Sequence, residues 1–200
     1  IAVGTSKEIE EKYEASTILD AKNQTIVPGL IDAHCHFLRF GTGLQTADLN
    51  GTKSYDEILE RLVAFQKEKN TSFIKGRGWD QNDWEVKEFP TKDKLDALFP
   101  NTPVALTRVD GHALLVNQAA IDMAKIDKNT KVSGGEIIIE NGEMTGVLID
   151  AAMDFIKFPE TTNSEMIQGL LDAQDVCFSY GLTTVDDAGL DQKHIELIDS

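Results

Sequence analysis

Two hundred residues suffice for one sizeable domain and its core, or for one domain and part of another. A net charge of −15, with no cluster among the 19 Lys and Arg residues, argues against nucleic acid as a partner, because phosphate binding needs a basic patch. Two cysteines, Cys35 and Cys177, are too few for a disulfide framework, and no apolar run approaches the roughly 20 residues a membrane span needs.

Residues 1–27 read as β-rich, with "IAVG" and "TIV" as candidate strands. They lead into "PGLIDAHCH" (28–36). If Leu30 to His36 runs as a strand, alternation turns Asp32, His34 and His36 to one face and Ala33 and Cys35 to the other. A neutral imidazole is a common metal ligand, and two at this spacing can share one divalent ion. The same pattern also suits a half-buried strand whose rings merely bond backbone carbonyls. Context favours a site: Pro28 and Gly29 punctuate the entry, Leu30 and Ile31 supply an apolar start, and the polar residues come only at the carboxyl end. In parallel α/β architectures that end is where sites are built.

"GTKSYDEILERLVAFQKEKN" is predicted as a helix, with Ser54 and Glu57 as a capping box and Ile58, Leu59, Leu62, Val63 and Phe65 mostly on one face. A strand from about Ser72 to Lys75 then runs into an aromatic loop containing Gly76 and Gly78, and Thr91 starts a short helix through Leu98. "NTPVALTRVDGH" supplies the next strand, followed by a helix capped by Asn117. Two apolar runs flanking Asn141-Gly142 predict a hairpin near 135–149, inserted into the αβ alternation. Thr162 and Glu165 form a second capping box for a helix with Ile167, Leu170, Leu171, Cys177 and Phe178 at helical spacing and Gly181 as its stop. "LTTVDDAG" closes the series as a strand that carries Asp186 and Asp187 at its carboxyl end. His194 lies in a helix-like stretch and reads as a surface residue.

Four strand-end clusters result: Asp32/His34/His36, Trp79/Asp80, Arg108/Asp110/His112 and Asp186/Asp187. Each has a plain structural alternative. Arg108 and Asp110 could be a local ion pair, with His112 joining their face only if the strand persists past Gly111. Trp79 could be packing with its indole N–H satisfied nearby, and Asp187 could cap the helix that follows.

Taken in order, "VPGLIDAHCH", "GRGWDQNDW", "PVALTRVDGHALLVNQAAI", "TGVLID" and "GLTTVDDAG" resemble the amidohydrolase superfamily, specifically the amidohydrolase-3 branch that includes N-substituted formamide deformylase-like enzymes. The resemblance implies an α/β fold, a partial (β/α)8 TIM barrel of the metal-dependent hydrolase type with part of a small β-sandwich at the N-terminus. Residues 1–27 would belong to the sandwich and 28–200 to the first part of the barrel. It implies His34 and His36 as metal ligands, for one or two divalent ions, zinc first with iron or manganese as alternatives. Trp79, Asp80, Arg108, Asp110 and His112 would bind the substrate. A bridging lysine, two further histidines and a catalytic aspartate are also implied, and none has a match before Ser200. Where the branch often has Val-His-Asp, this chain has Val185-Asp186-Asp187, which leaves the roles of the two aspartates open.

The implied activity is hydrolysis of a non-peptide C–N bond, amide or formamide-like, in a small-molecule substrate by metal-activated hydroxide. Hydrolysis of a cyclic amide or ester, deamination, or a non-catalytic binding scaffold are the alternatives. A barrel of about 250 residues cannot close within this length, so the chain is expected to be part of a longer protein and to expose unpaired strand edges. A homodimer is compatible with this reading. The default setting is cytoplasmic, with export left open because the chain begins at Ile1 without a methionine.

Overall fold

A computed structural model describes residues 1–199. The first element is a single helical turn and a half, α1 (Ser6–Glu10), started by a Thr5/Glu8 capping box. The candidate strands "IAVG" and "TIV" are a correction: among the described residues no strand forms before Leu30. A strand exists only by pairing its backbone groups with a neighbour, and none lies beside this segment.

From there the chain forms β1 (Leu30–Cys35), α2 (Phe37–Gly43), β2 (Ala47–Asp48), α3 (Tyr55–Lys69), β3 (Ile74–Trp79), α4 (Asp93–Leu98) and β4 (Val104–Arg108). It continues with β5 (Ala113–Val116), α5 (Gln118–Ala124), β6 (Gly135–Glu140), β7 (Glu143–Asp150), α6 (Asn163–Ser179), β8 (Leu182–Asp187) and α7 (Gln192–Ile198). Ser54 caps α3 by accepting from the Glu57 N–H, whereas the Glu57 carboxylate reaches the Lys53 N–H rather than closing the reciprocal half of the box. The Thr162/Glu165 box at α6 is complete. Asn141 and Gly142, both at positive φ, make the two-residue turn between β6 and β7.

These strands form two sheets. In one, β1 and β8 pair in parallel although about 150 residues separate them, with Leu30 opposite Leu182 and Cys35 opposite Asp187. The other has six strands in the order β2-β3-β4-β5-β7-β6, parallel from β2 to β4 and antiparallel from β4 onward. Two sequence expectations change here. "ALLV" after Gly111 is a strand, which turns the anticipated strand and helix alternation into a hairpin, and the β6–β7 hairpin is the continuation of that sheet through β5. Short fully apolar runs carry no periodicity to separate strand from connection, and β5 is buried at every position.

The core lies on both faces of the six-stranded sheet. Alternation sends Val104, Leu106, Leu115 and Val147 to one face with Ile58, Leu62 and Trp79, and Ala105, Leu114, Val116 and Leu148 to the other with Ala120 and Ile121. The strand expected to stop at Lys75 continues through Trp79. Gly76 lies inside it because a Cβ there would come within 2.7 Å of Leu106 and 2.9 Å of Leu49. Gly78, at φ +109°, breaks the register between Arg77 and Trp79 and re-aims the chain.

The two-stranded sheet is less covered. Leu30 and Ile31 are 56% and 65% exposed, and of α6 only Met166, Gly169 and Ala173 are buried. Ile167, Leu171 and Phe178 of the expected apolar face lie exposed, because the close packing of α6 is on its other face, against α2 at the Gly41–Gly169 contact. Among the described residues no helix is long and apolar enough to cross a membrane.

Candidate functional site

His34 sits near the carboxyl end of β1, and His36 is the residue from which α2 starts. Both are exposed, with ring centroids 5.8 Å apart at 74° to each other. Asp32 accepts a hydrogen bond from the His34 backbone N–H, pinning the strand between them. Among the described residues no side-chain hydrogen bond engages either imidazole, and the nearest acid to His36 is Asp187, with Oδ1 4.0 Å from Nδ1. Parallel pairing of β1 with β8 brings that carboxylate across from a position 151 residues away. Gly189 gives His36 its room, since a Cβ there would stand 3.0 Å from Nδ1.

Asp187 does not cap the helix that follows β8; Asp191 does, through the His194 N–H. Instead Asp187 Oδ2 accepts from the Leu38 N–H in the first turn of α2, and Oδ1 from the Gly189 N–H. It therefore anchors the start of α2, where His36 offers no side-chain cap of its own. Asp186 projects to the exposed side. His194 lies on α7 with Nδ1 2.9 Å from Asp191 and lines, with His36, Asp187 and Gly189, a cleft of about 580 Å³. Cys35 lines a crevice with Asp32, His36, Phe40, Cys177 and Val185, so the strand alternation does not part it from His36; burial there pushes its thiol up, with Asp32 adding to the effect.

At the carboxyl ends of β3 and β4, Arg108 gathers the second cluster. Its Nε donates to Gln81 Oε1 at 2.9 Å, Nη2 to Asp80 Oδ1 at 2.9 Å and Nη1 to Asp110 Oδ2 at 2.6 Å. Three of five guanidinium N–H groups are thus committed within the protein. Burial raises the Asp80 carboxyl, but the Asn82 N–H and the Arg108 guanidinium outweigh it and hold the group below the usual range.

Two members of the expected substrate set are placed differently from the sequence reading. Trp79 is fully buried in the core, between Trp84 and Phe89, and donates its indole N–H to the Leu106 carbonyl at 2.7 Å. The bulge at Gly78 turns the ring inward and leaves it no surface for a ligand. His112 does not continue the face of Arg108 and Asp110: the strand ends at Arg108, Gly111 takes φ +79°, and His112 pairs with Asp150 at 2.8 Å. The Asp150 carboxylate, by hydrogen bond and charge, and Asp110 hold the imidazole above the usual histidine range, with Arg108 opposing. Sequence reasoning missed Gln81 and Asp150. The signal for Asp150 was present as an acid ending the apolar run "GVLID", the same pattern that singled out Asp187.

Among the described residues no three His, Cys, Asp or Glu side chains converge as a complete metal site. The donors present are two unengaged imidazoles with a carboxylate beside them, a chemistry that suits part of a divalent-metal site.

Comparison with known proteins gives a consistent picture. Residues 17–198 match the model of the Amidohydrolase family. The chain is 34% identical over 188 residues to the putative amidohydrolase YtcJ of Bacillus subtilis (strain 168), covering 90% of this chain and 35% of that protein. It is 28% identical over 207 residues to the N-substituted formamide deformylase of Arthrobacter pascens, covering 98% of this chain and 38% of the relative. It spans about a third of the length of these relatives. Among solved structures, an uncharacterized metal-dependent hydrolase from Pyrococcus furiosus is similar with a TM-score of 0.59 and 27% identity, over 86% of this chain and 34% of that one. A second from Pyrococcus horikoshii OT3 gives 0.58 and 25%, over 86% and 33%.

Proposed function

Because the chain belongs to the amidohydrolase family, we propose that the protein is a metal-dependent hydrolase that cleaves a non-peptide C–N bond, amide or formamide-like, in a small molecule. The observation that carries this reading is the pair of exposed imidazoles, His34 and His36, on one strand end with neither ring engaged by a hydrogen bond. His34 and His36 would hold a divalent ion, zinc first among zinc, iron and manganese. When bound, such an ion lowers the pKa of its water to about 7 and polarises the substrate carbonyl.

The chain's own residues prepare that site. Asp32 fixes the His34 backbone, Gly189 admits the His36 ring, and Asp187 ties the start of α2 to the end of β8 so that both histidine positions are set by two strands and a helix. Asp80, Arg108, Asp110 and His112 form the substrate-binding side, where the Arg108 clamp orders the strand ends and His112 is the exposed member. In this organisation β1 and β8 are the first two strands of the barrel, residues 1–27 belong to the small sandwich, and the six-stranded sheet is carried between the two barrel strands. The remaining ligands and the base come from outside residues 1–200.

The test is metal content by plasma mass spectrometry on the full-length protein purified without chelator, beside a His34→Ala/His36→Ala variant. One or two equivalents of metal lost in the variant, with turnover of a member of a panel of formamides, N-acyl amino acids and lactones, supports the proposal. No metal in the wild type after reconstitution refutes it in favour of a binding scaffold.

A further inference from the structure

Asp150 has a backbone that side chains rarely adopt, with φ 47° and ψ −120°, the geometry that glycine takes at the first central position of a type II′ turn. Packing does not explain an aspartate there, because its side chain is half exposed. What it does is join His112 twice: the Asp150 N–H donates to the His112 carbonyl at 3.1 Å, and Oδ1 lies 2.8 Å from His112 Nδ1. The neighbourhood is shaped to hold this turn. The Ala151 N–H donates to the Gly134 carbonyl, and a Cβ on Gly135 would come within 2.5 Å of the Ile149 carbonyl oxygen and the Ala152 nitrogen. A strained aspartate at a position where glycine would sit without strain points to a use for its carboxylate.

We propose that Asp150 is a positioning residue: its carboxylate accepts the Nδ1–H of His112 and favours the imidazolium, in which the Nε2–H is also present and donates to a carbonyl or carboxylate oxygen of the substrate. The His112 side chain is 74% exposed, leaving that nitrogen open to a ligand. The charged groups acting on it are Asp150 at the end of β7, Asp110 in the β4–β5 turn and Arg108 at the end of β4; the two acids favour its protonated form and Arg108 opposes them. Arg77 braces the same turn by donating to the Val109 carbonyl at 3.5 Å. The proposal rests on the hydrolase reading above and adds to it a residue and a role.

The test uses Asp150→Asn and Asp150→Gly in the full-length protein. Carbethoxylation of His112 by diethyl pyrocarbonate, which needs the neutral imidazole, is followed against pH by peptide mass spectrometry and requires no substrate. Both variants are expected to move its midpoint to lower pH, to lower kcat/KM at neutral pH by about tenfold, as for other carboxylates that orient an imidazole, and to move the alkaline limb of the pH profile down with the midpoint. Asp150→Gly, which relieves the backbone, is expected to melt no lower than the wild type, so that its loss of activity is not a loss of fold. An unmoved midpoint overturns the pairing, and a moved midpoint with unchanged kcat/KM and pH profile overturns the role. Wild-type protein that binds no metal after reconstitution, with the midpoint moving as stated, overturns the hydrolase reading and leaves the pairing standing.

Discussion

Asn117 offers a sharp test of how the six-stranded sheet is held. Its side chain is fully buried and uses all four of its ordinary hydrogen-bonding positions: Oδ1 accepts from the Val104 N–H at 2.9 Å and the Ala120 N–H at 3.1 Å, and Nδ2 donates to the carbonyls of Phe99 and Thr102 at 2.8 and 2.9 Å. It thereby caps α5, starts β4 and closes the loop before β4. Asn117→Ala removes a helix cap worth about 1 kcal/mol. It also takes from the buried Val104 N–H its side-chain acceptor, about 1–3 kcal/mol. The expected loss is about 3 kcal/mol, read by urea unfolding with tryptophan fluorescence, since Trp79 and Trp84 lie in this core. Asn117→Ser keeps a capping oxygen for Ala120 and should recover only about 1 kcal/mol of that loss. If Asn117→Ala costs under about 1 kcal/mol, or Asn117→Ser matches the wild type, the residue is only a cap and the tie to β4 contributes nothing.

Other predictions address the second sheet and the ion pairs. Gly169→Ala places a Cβ 2.7 Å from the Gly41 carbonyl oxygen, so α2 and α6 must separate, and a cost of about 1–3 kcal/mol in thermal or urea unfolding is expected; an unchanged midpoint would show that the helices do not meet there. For Asp80, whose carboxyl is held below its ordinary value, stability from the Arg108 pair is fully present above an unfolded value of about 3.9 and is lost as pH falls through the folded one. Asp80→Asn should therefore be less stable than the wild type at pH 7, with the two urea midpoints converging below about pH 4; parallel curves down to pH 3 would contradict the assignment.

Much of the local structure was legible because its signals are local. Ser54, Asn117 and Thr162 mark helix starts through oxygens that reach an N–H three residues on, and Asn141-Gly142 marks a turn through its positive φ angles. The strand "LTTVDD" needs only its β-branched composition, whereas the alternation expected through His36 stops at Cys35, where β1 ends and α2 begins. Where the reading failed, the deciding partner lay far along the chain or was not beside the segment at all. "IAVG" and "TIV" carry strand composition but find no neighbour to pair with, and "ALLV" is a strand because β4 and β7 lie on either side of it.

The site divides in the same way. From the sequence alone came the family, the proposal of the His34/His36 pair as ligands and the acidic and basic residues near the strand ends, because residue type and spacing along the chain suffice to raise these. Only the tertiary structure buried Trp79, turned His112 from Arg108 to Asp150, and brought Asp187 to the first turn of α2 beside His36. The physical reason is that a bulge, a positive φ and a strand pairing across about 150 residues are settled by which backbones can approach and bond one another. That competition is resolved between elements, and a single element's pattern does not record it.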